Sequence, residues 1–135
     1  MITEDYVTFE TAKLLKEKGF AEKCIAYYPR HLLPVKLTFG GRVNYNAPNK
    51  FKQLPPVSAP TLQMAMKWLR EVHHYYIQVM LDSWACGGHM GYYVVLQRTD
   101  NDFEMMLQDA VDEVFYETYE QACEAAIKYC LENLI

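Results

Sequence analysis

The spacing of apolar residues changes once near the middle of the chain, at about residue 74. Over 59–73 the apolar side chains recur every three or four positions, which predicts an amphipathic helix lying on a core. Over 75–81 and 92–98 apolar residues recur at the spacing of β-strands. Because the first of these strands has apolar residues on both faces, we expect it to be central in its sheet.

The N-terminal part of the chain predicts a helix followed by a strand. Thr8 is a suitable N-cap for a helix over 9–18, and Gly19 stands where a helix stop is expected. Phe20 then supplies the hydrophobic contact that often accompanies such a stop. Residues 24–28 predict a short strand that ends before a proline.

A hairpin is predicted next. Two alternating runs, 35–39 and 42–45, flank Gly40 and Gly41. This pattern is typical of a two-residue hairpin turn in which both central residues have positive φ. A proline-rich surface loop over 46–60 then leads to the central helix.

The C-terminal part predicts further strands and a last helix. Glycines mark a turn region over 82–91, and residues 103–107 alternate as a third strand. Thr118 and Gln121 have the spacing of a capping box at the start of the last helix. We therefore expect a two-layer α+β fold, in which an antiparallel sheet built from a meander and a hairpin packs with about three helices.

Composition agrees with an ordinary globular protein. The chain has 135 residues, which predicts one domain over 1–135, and 51% of them are hydrophobic. No apolar run approaches the roughly 20 residues of a membrane span, and the acidic, polar start does not resemble a signal peptide. We expect a cytoplasmic protein whose cysteines are reduced core residues without disulfides; they are Cys24, Cys86, Cys123 and Cys130.

Candidate catalytic and metal-binding residues are few. Cys86 and His89 could supply two zinc ligands with Asp82 nearby, but a second spaced pair is missing. Cys86 with His89 or His73 could also form a nucleophile and base, but no oxyanion donor or orienting acid is identifiable. We therefore expect no metal, no cofactor and no enzymatic activity. A thiol or metal enzyme built around Cys86 and His89 is the least favoured alternative.

Charge is distributed very unevenly along the chain. From Lys23 to Arg70 there are eight basic residues and no Asp or Glu, whereas residues 99–135 contain ten acidic residues and one base, Lys128. The net charge of −4 hides this asymmetry.

Three interpretations of the basic segment follow. It meets an acidic protein surface, within a homo-oligomer or on another partner; it binds nucleic acid through phosphates, with Tyr27, Tyr28 and other aromatic residues stacking on bases; or it is only solvated. The interaction candidates are Arg30, Lys36, Phe39, Arg42, Tyr45, Lys50, Phe51 and Lys52.

Three stretches also carry a family resemblance. Tyr6–Phe20 (YVTFETAKLLKEKGF), Ala59–Val72 (APTLQMAMKWLREV) and Tyr116–Ile127 (YETYEQACEAAI) resemble small uncharacterised proteins of phage and mobile elements from gut bacteria. The resemblance implies a cytoplasmic, non-essential protein of a mobile element and brings no catalytic residues. The sequence is thus best interpreted as a non-catalytic module that self-associates or binds a protein partner, with nucleic-acid binding by residues 30–70 as the alternative.

Overall fold

The structure is a computed structural model that describes residues 1–31, 33–50, 53–82, 90–111 and 115–135. The chain divides into two compact units, Met1–Gln63 (unit 1) and Met64–Ile135 (unit 2). Each unit contains a three-stranded antiparallel sheet, and helices accompany both sheets. The predicted α+β class is confirmed. The assignment of 1–135 to one domain stays a prediction.

Unit 1 is built around the first sheet. Its elements are helix α1 (Phe9–Glu17) and strands β1 (Cys24–Tyr28), β2 (Thr38–Val43) and β3 (Val57–Ser58). The strand order is β2-β1-β3, so β1 is central. Residues of the N-terminus close the unit, because the Val7 N–H donates to the Pro60 carbonyl at 3.1 Å.

Local capping determines where α1 begins and ends, as predicted. The Thr8 hydroxyl accepts a hydrogen bond from the Thr11 N–H. At the other end Gly19 has a φ of 93°, and its N–H donates to the Lys16 carbonyl at 3.1 Å. The Phe20 N–H donates to the Leu15 carbonyl at 2.9 Å, which completes a Schellman motif, and the Phe20 ring is buried.

The predicted hairpin over 35–45 is wrong. Gly40 and Gly41 lie inside β2, and neither has a positive φ. Phe39 pairs with Ala26 of β1, and Val43 pairs with Cys24. Between these two pairs β1 has one residue and β2 has three, so the glycines form a bulge in a long-range strand pair. A Gly-Gly sequence permits both a turn and a bulge, and pairing with β1 decides between them.

Helix α2 (Leu62–His73) begins in the last residues of unit 1, and most of it belongs to unit 2. Its strands are β4 (Tyr75–Asp82), β5 (Gly91–Arg98) and β6 (Glu104–Met106), and they pair as the predicted antiparallel meander. The strand order is β4-β5-β6, so the expectation that the strand after α2 is central is wrong. Among the described residues β5 is central, and β4 is an edge strand.

The C-terminal part of unit 2 is helical. A 3₁₀ turn (Leu107–Asp109) precedes helix α3 (Tyr119–Tyr129), which continues as a π-helical turn (Cys130–Leu134). The predicted capping box is present: the Gln121 N–H donates to the Thr118 hydroxyl at 3.1 Å, and the Thr118 N–H donates to the Gln121 side chain at 3.3 Å. α3 packs on β4 and β5. In the part of the chain that the structure describes, no helix has the length and apolar character of a membrane span.

Replacement of Gly19 by Ala tests the Schellman stop. A Cβ at Gly19 meets no atom within 4 Å, so any cost comes from the backbone at φ 93°. We expect Gly19→Ala to lower the free energy of unfolding by about 1–2 kcal/mol, measured by urea denaturation. Gly41→Ala is the matched control, since Gly41 also lies in open space but without a positive φ. Equal stabilities of the two variants would contradict the assignment.

Candidate interaction site

A cleft of about 680 Å³ lies within unit 1. Its walls come from two segments that are distant in sequence, the end of β1 with the residues after it and the proline-rich segment before β3. None of the described lining residues is acidic. They are Tyr27, Pro29, His31, Gln53, Leu54 and Pro56.

Arg30 joins the two walls of the cleft. It lies between Pro29 and His31, and its Nε donates to the carbonyl of Pro55 at 2.8 Å. Pro55 in turn lies between two residues of the opposite wall. Because a hydrogen bond from a charged donor is stronger than a neutral one, this contact helps to hold the two walls together.

Lys16 of α1 makes a second contact of the same kind. Its Nζ lies 3.4 Å from the carbonyl of Pro56. Burial, and secondarily the nearby charge of Arg30, lower the pKa of Lys16. Pro55 and Pro56 have no N–H groups and cannot donate to a strand ladder. Two cationic side chains thus bind consecutive carbonyls of a segment that cannot join the sheet as a donor.

An aromatic stack stands beside the cleft. The rings of Tyr27 and Tyr45 are stacked with centroids 4.3 Å apart and an interplanar angle of 21°. The Tyr45 hydroxyl donates to the Gly41 carbonyl at 2.6 Å. The stack lies directly against the β2 bulge, because a Cβ on Gly40 would be 2.6 Å from the Tyr45 hydroxyl oxygen and 3.3 Å from a carbon of the Tyr27 ring. The glycine in the bulge therefore makes room for the stack.

Asn46 anchors the segment that follows the stack. Its Nδ2 donates to the Phe20 carbonyl at 2.9 Å, and its Oδ1 accepts from the Ser58 N–H at the same distance. One side chain thus ties β3 to the connection between α1 and β1. The sequence placed Asn46 in a loop and gave no sign of this role.

The structure gathers only some of the sequence-predicted candidates at the cleft. Arg30 joins its walls, and Tyr45 stacks on its lining residue Tyr27. The other described candidates are exposed on unit 1 and do not line the cleft; they are Lys36, Phe39, Arg42 and Lys50. Phe51 and Lys52 lie outside the described residues.

Sequence reasoning missed most of the lining. His31, Gln53 and Leu54 were not singled out, because nothing local marks them. The pairing of β1 with β3 and the contact between Arg30 and Pro55, 25 residues apart, bring their segments together.

Three of the four cysteines are the core residues that the sequence predicts. Cys24, Cys123 and Cys130 are buried and free. Burial raises the pKa of Cys24 and Cys123 to about 11 and that of Cys130 to about 12. Their thiols are therefore protonated at neutral pH and are poor nucleophiles. Cys86 and His89 lie outside the described residues.

The described residues do not test whether the chain binds a metal ion. Among the described residues there is no group of three or more His, Cys, Asp or Glu side chains that could hold a metal ion. The expectation of no metal and no cofactor stays a prediction, since the candidate loop between Asp82 and Met90 is outside the described part.

The charge asymmetry of the sequence follows the division into units. Unit 1 contains nine basic and five acidic residues, a net charge of +4. Unit 2 contains four basic and twelve acidic residues, a net charge of −8. The cleft thus belongs to the cationic unit.

Comparisons of the chain with protein-family models, with curated proteins and with solved structures find no match. The resemblance to phage and mobile-element proteins accordingly stays a prediction.

Gly40→Ala tests the stack at the bulge. The added methyl group would displace the Tyr45 hydroxyl and its hydrogen bond to Gly41. We expect Gly40→Ala to lower the free energy of unfolding by about 1–2 kcal/mol, as at other overpacked sites. It should also alter the tyrosine signals in near-UV circular dichroism. Gly41→Ala, next to it in the same bulge, should be close to neutral. A neutral Gly40→Ala variant would show that the stack does not depend on the glycine.

Arg30→Gln tests the position of Arg30 through its effect on the neighbouring Lys16. Removing the guanidinium charge should raise the pKa of Lys16, which stays below its ordinary value because burial is the larger cause of the shift. The measurement is an NMR titration of the Lys16 side chain. Arg42→Gln, which also removes one positive charge from unit 1, should leave that pKa unchanged. An equal effect of the two variants would refute a direct interaction between Arg30 and Lys16.

Proposed function

We propose that this chain is a non-catalytic binding module whose unit 1 cleft takes an extended protein segment that carries acidic residues. The observation that supports this most is the cleft itself, whose described lining is mostly apolar and contains no carboxylate. The mobile-element setting is part of the proposal and rests only on the sequence resemblance.

The lining favours protein side chains as ligands. Tyr27, Leu54 and the two prolines offer apolar surface, and tyrosine is enriched in protein interfaces where a ring and a hydroxyl can both make contacts. His31 and Gln53 supply polar groups that can fix the position of a backbone. Because Arg30 and Pro55 already hold the walls together, little ordering entropy is lost on binding.

The charge of unit 1 favours an acidic segment. Within Lys23–Arg70 no acidic side chain opposes an approaching carboxylate. Exposed cations at an interface mainly increase the rate of encounter and select the sign of the partner's charge. The apolar lining would then supply most of the affinity.

Nucleic acid fits this site less well than protein. Sequence-independent binding of single strands uses exposed aromatic faces on which bases stack. Here Tyr27 and Tyr45 stack on each other, so one face of each ring is already occupied. Arg30 and Lys16 point to carbonyls of the chain itself. These contacts leave fewer groups for bases and phosphates.

Catalysis has little support among the described residues. The three described thiols have raised pKa values and are protonated at neutral pH. The described lining of the cleft includes one histidine, His31, and no acidic residue that could orient it. Binding without chemical conversion is therefore the function we propose.

Peptide selection tests the proposal. Peptides selected from a random library on the purified protein should combine acidic with apolar residues. Their affinities are then measured by fluorescence polarisation. Leu54→Glu places a carboxylate in the cleft and should weaken binding about ten-fold or more, which corresponds to about 1.4 kcal/mol.

Leu33→Glu is the control for this test. Leu33 is 88% exposed, compared with 56% for Leu54, and it does not line the cleft. It should leave the peptide affinity unchanged. Equal losses in the two variants would refute the cleft as the site. Retention of a labelled oligothymidine strand, with no selected peptides, would support the nucleic-acid alternative instead.

A further inference from the structure

Strand β4 combines the sequence of a central strand with the position of an edge strand. Its residues Tyr75–Leu81 include no charged side chain and no proline, and apolar residues occupy both faces. In the sheet it pairs with β5 on one side. No strand pairs with its other side within the described residues. The composition of β4 is therefore suited to a strand with a neighbour on each side, whereas the described part of a single copy supplies one neighbour.

The other sheet edges carry features that discourage pairing. β2 contains the glycine bulge, which interrupts its ladder. β3 has two residues, and β6 has three, of which one is Glu104. Bulges, short strands and charges are the devices by which proteins protect sheet edges from association.

β4 has no bulge and is not short, and its one charged residue, Asp82, is the last residue of the strand. It is eight residues long, and its pairing with β5 runs without a register shift from Tyr75 opposite Arg98 to Asp82 opposite Gly91. In an antiparallel edge strand, alternate residues direct their N–H and C=O groups away from the neighbour. A regular ladder of this length therefore presents an unbroken row of backbone donors and acceptors.

The side chains beside this edge are also apolar. Tyr76 and Met80 lie on the same face of the sheet, and each is 40% exposed. Leu81, on the opposite face, is 53% exposed. An exposed edge of this length and polarity is suited to pairing with another strand.

We propose that the free edge of β4 pairs antiparallel with β4 of a second copy, which joins two three-stranded sheets into one of six strands. A two-fold axis makes such an interface self-complementary, because one strand supplies both sides. With the axis at Gln78, Tyr76 of one copy lies opposite Met80 of the other. A methionine sulfur against an aromatic ring is a favourable cross-strand contact.

The residue before β4 does not take part in this pairing. His74 has a φ of 65°, and its Nδ1 lies 3.2 Å from the Thr99 hydroxyl oxygen, directly after β5. Its imidazole is therefore engaged within its own sheet. The register of the proposed pair depends on the contact between Tyr76 and Met80.

The charges of unit 2 explain how this contact should respond to salt. The strand itself is neutral over Tyr75–Leu81, whereas the unit around it has a net charge of −8. Two such units repel each other at a distance, and the Debye length falls from about 10 Å at 0.1 M salt to about 3 Å at 1 M. Dimerisation through β4 should therefore strengthen as salt rises, whereas binding of an acidic segment to the unit 1 cleft should weaken.

The experiment is sedimentation equilibrium of the full chain, with Met80→Lys and Met106→Lys compared at low and high salt. Met80 and Met106 are each 40% exposed and lie on the same face of the sheet, but Met106 belongs to β6 at the other edge. The wild-type chain and Met106→Lys should dimerise, more strongly at high salt. Met80→Lys should be a monomer with unchanged circular dichroism.

Tyr76→Lys is the second variant, in case Met80→Lys fails to fold. It should also be a monomer, since Tyr76 lies opposite Met80 in the proposed pair. A wild-type chain that stays monomeric at high concentration and high salt would overturn the proposal. Equal dissociation by Met80→Lys and Met106→Lys would overturn it too, because that result would implicate the sheet face and not the β4 edge. Leu54→Glu in the cleft should leave the dimer intact, so the two proposals can fail separately.

Discussion

The need to satisfy backbone hydrogen bonds at the edges of two small sheets shapes this protein. A three-stranded sheet has one central strand and two edges, so most of its backbone lies next to an edge. In unit 1 the ladder stops at the Pro55–Pro56 segment, which lacks N–H groups, and cationic side chains bind the carbonyls there. The Arg30 contact also connects the two segments that line the cleft. A contact at the end of the ladder is therefore also part of the candidate site.

Features that depend on neighbours in sequence were predictable. The N-cap at Thr8, the helix stop at Gly19 and the capping box at Thr118 each need only a few adjacent residues, and all three are present. The apolar periods of α2, β4 and β5 are local in the same sense. Each of these elements is present, although α2 begins at Leu62, three residues later than predicted.

Features that depend on distant contacts were not predictable. A Gly-Gly pair between alternating runs fits a hairpin when considered alone, but β2 pairs with β1, some fifteen residues before it, and the glycines become a bulge. The cleft was missed for a related reason. Its walls, 27–31 and 53–56, are joined by hydrogen bonds that leave no pattern in either segment. The sequence did identify the acid-free segment in which both walls lie.

The prediction that β4 is central was wrong about its place but correct about its composition. Tyr75 and Ile77 are apolar because they lie in the core of unit 2. That reason does not extend to Tyr76 and Met80, which lie on the opposite face and are partly exposed. In a unit with twelve acidic residues, a run of seven uncharged residues along an exposed edge needs a separate cause. Burial against another strand is such a cause, and a second copy of β4 provides a strand of the same length, the same neutrality and a matching register.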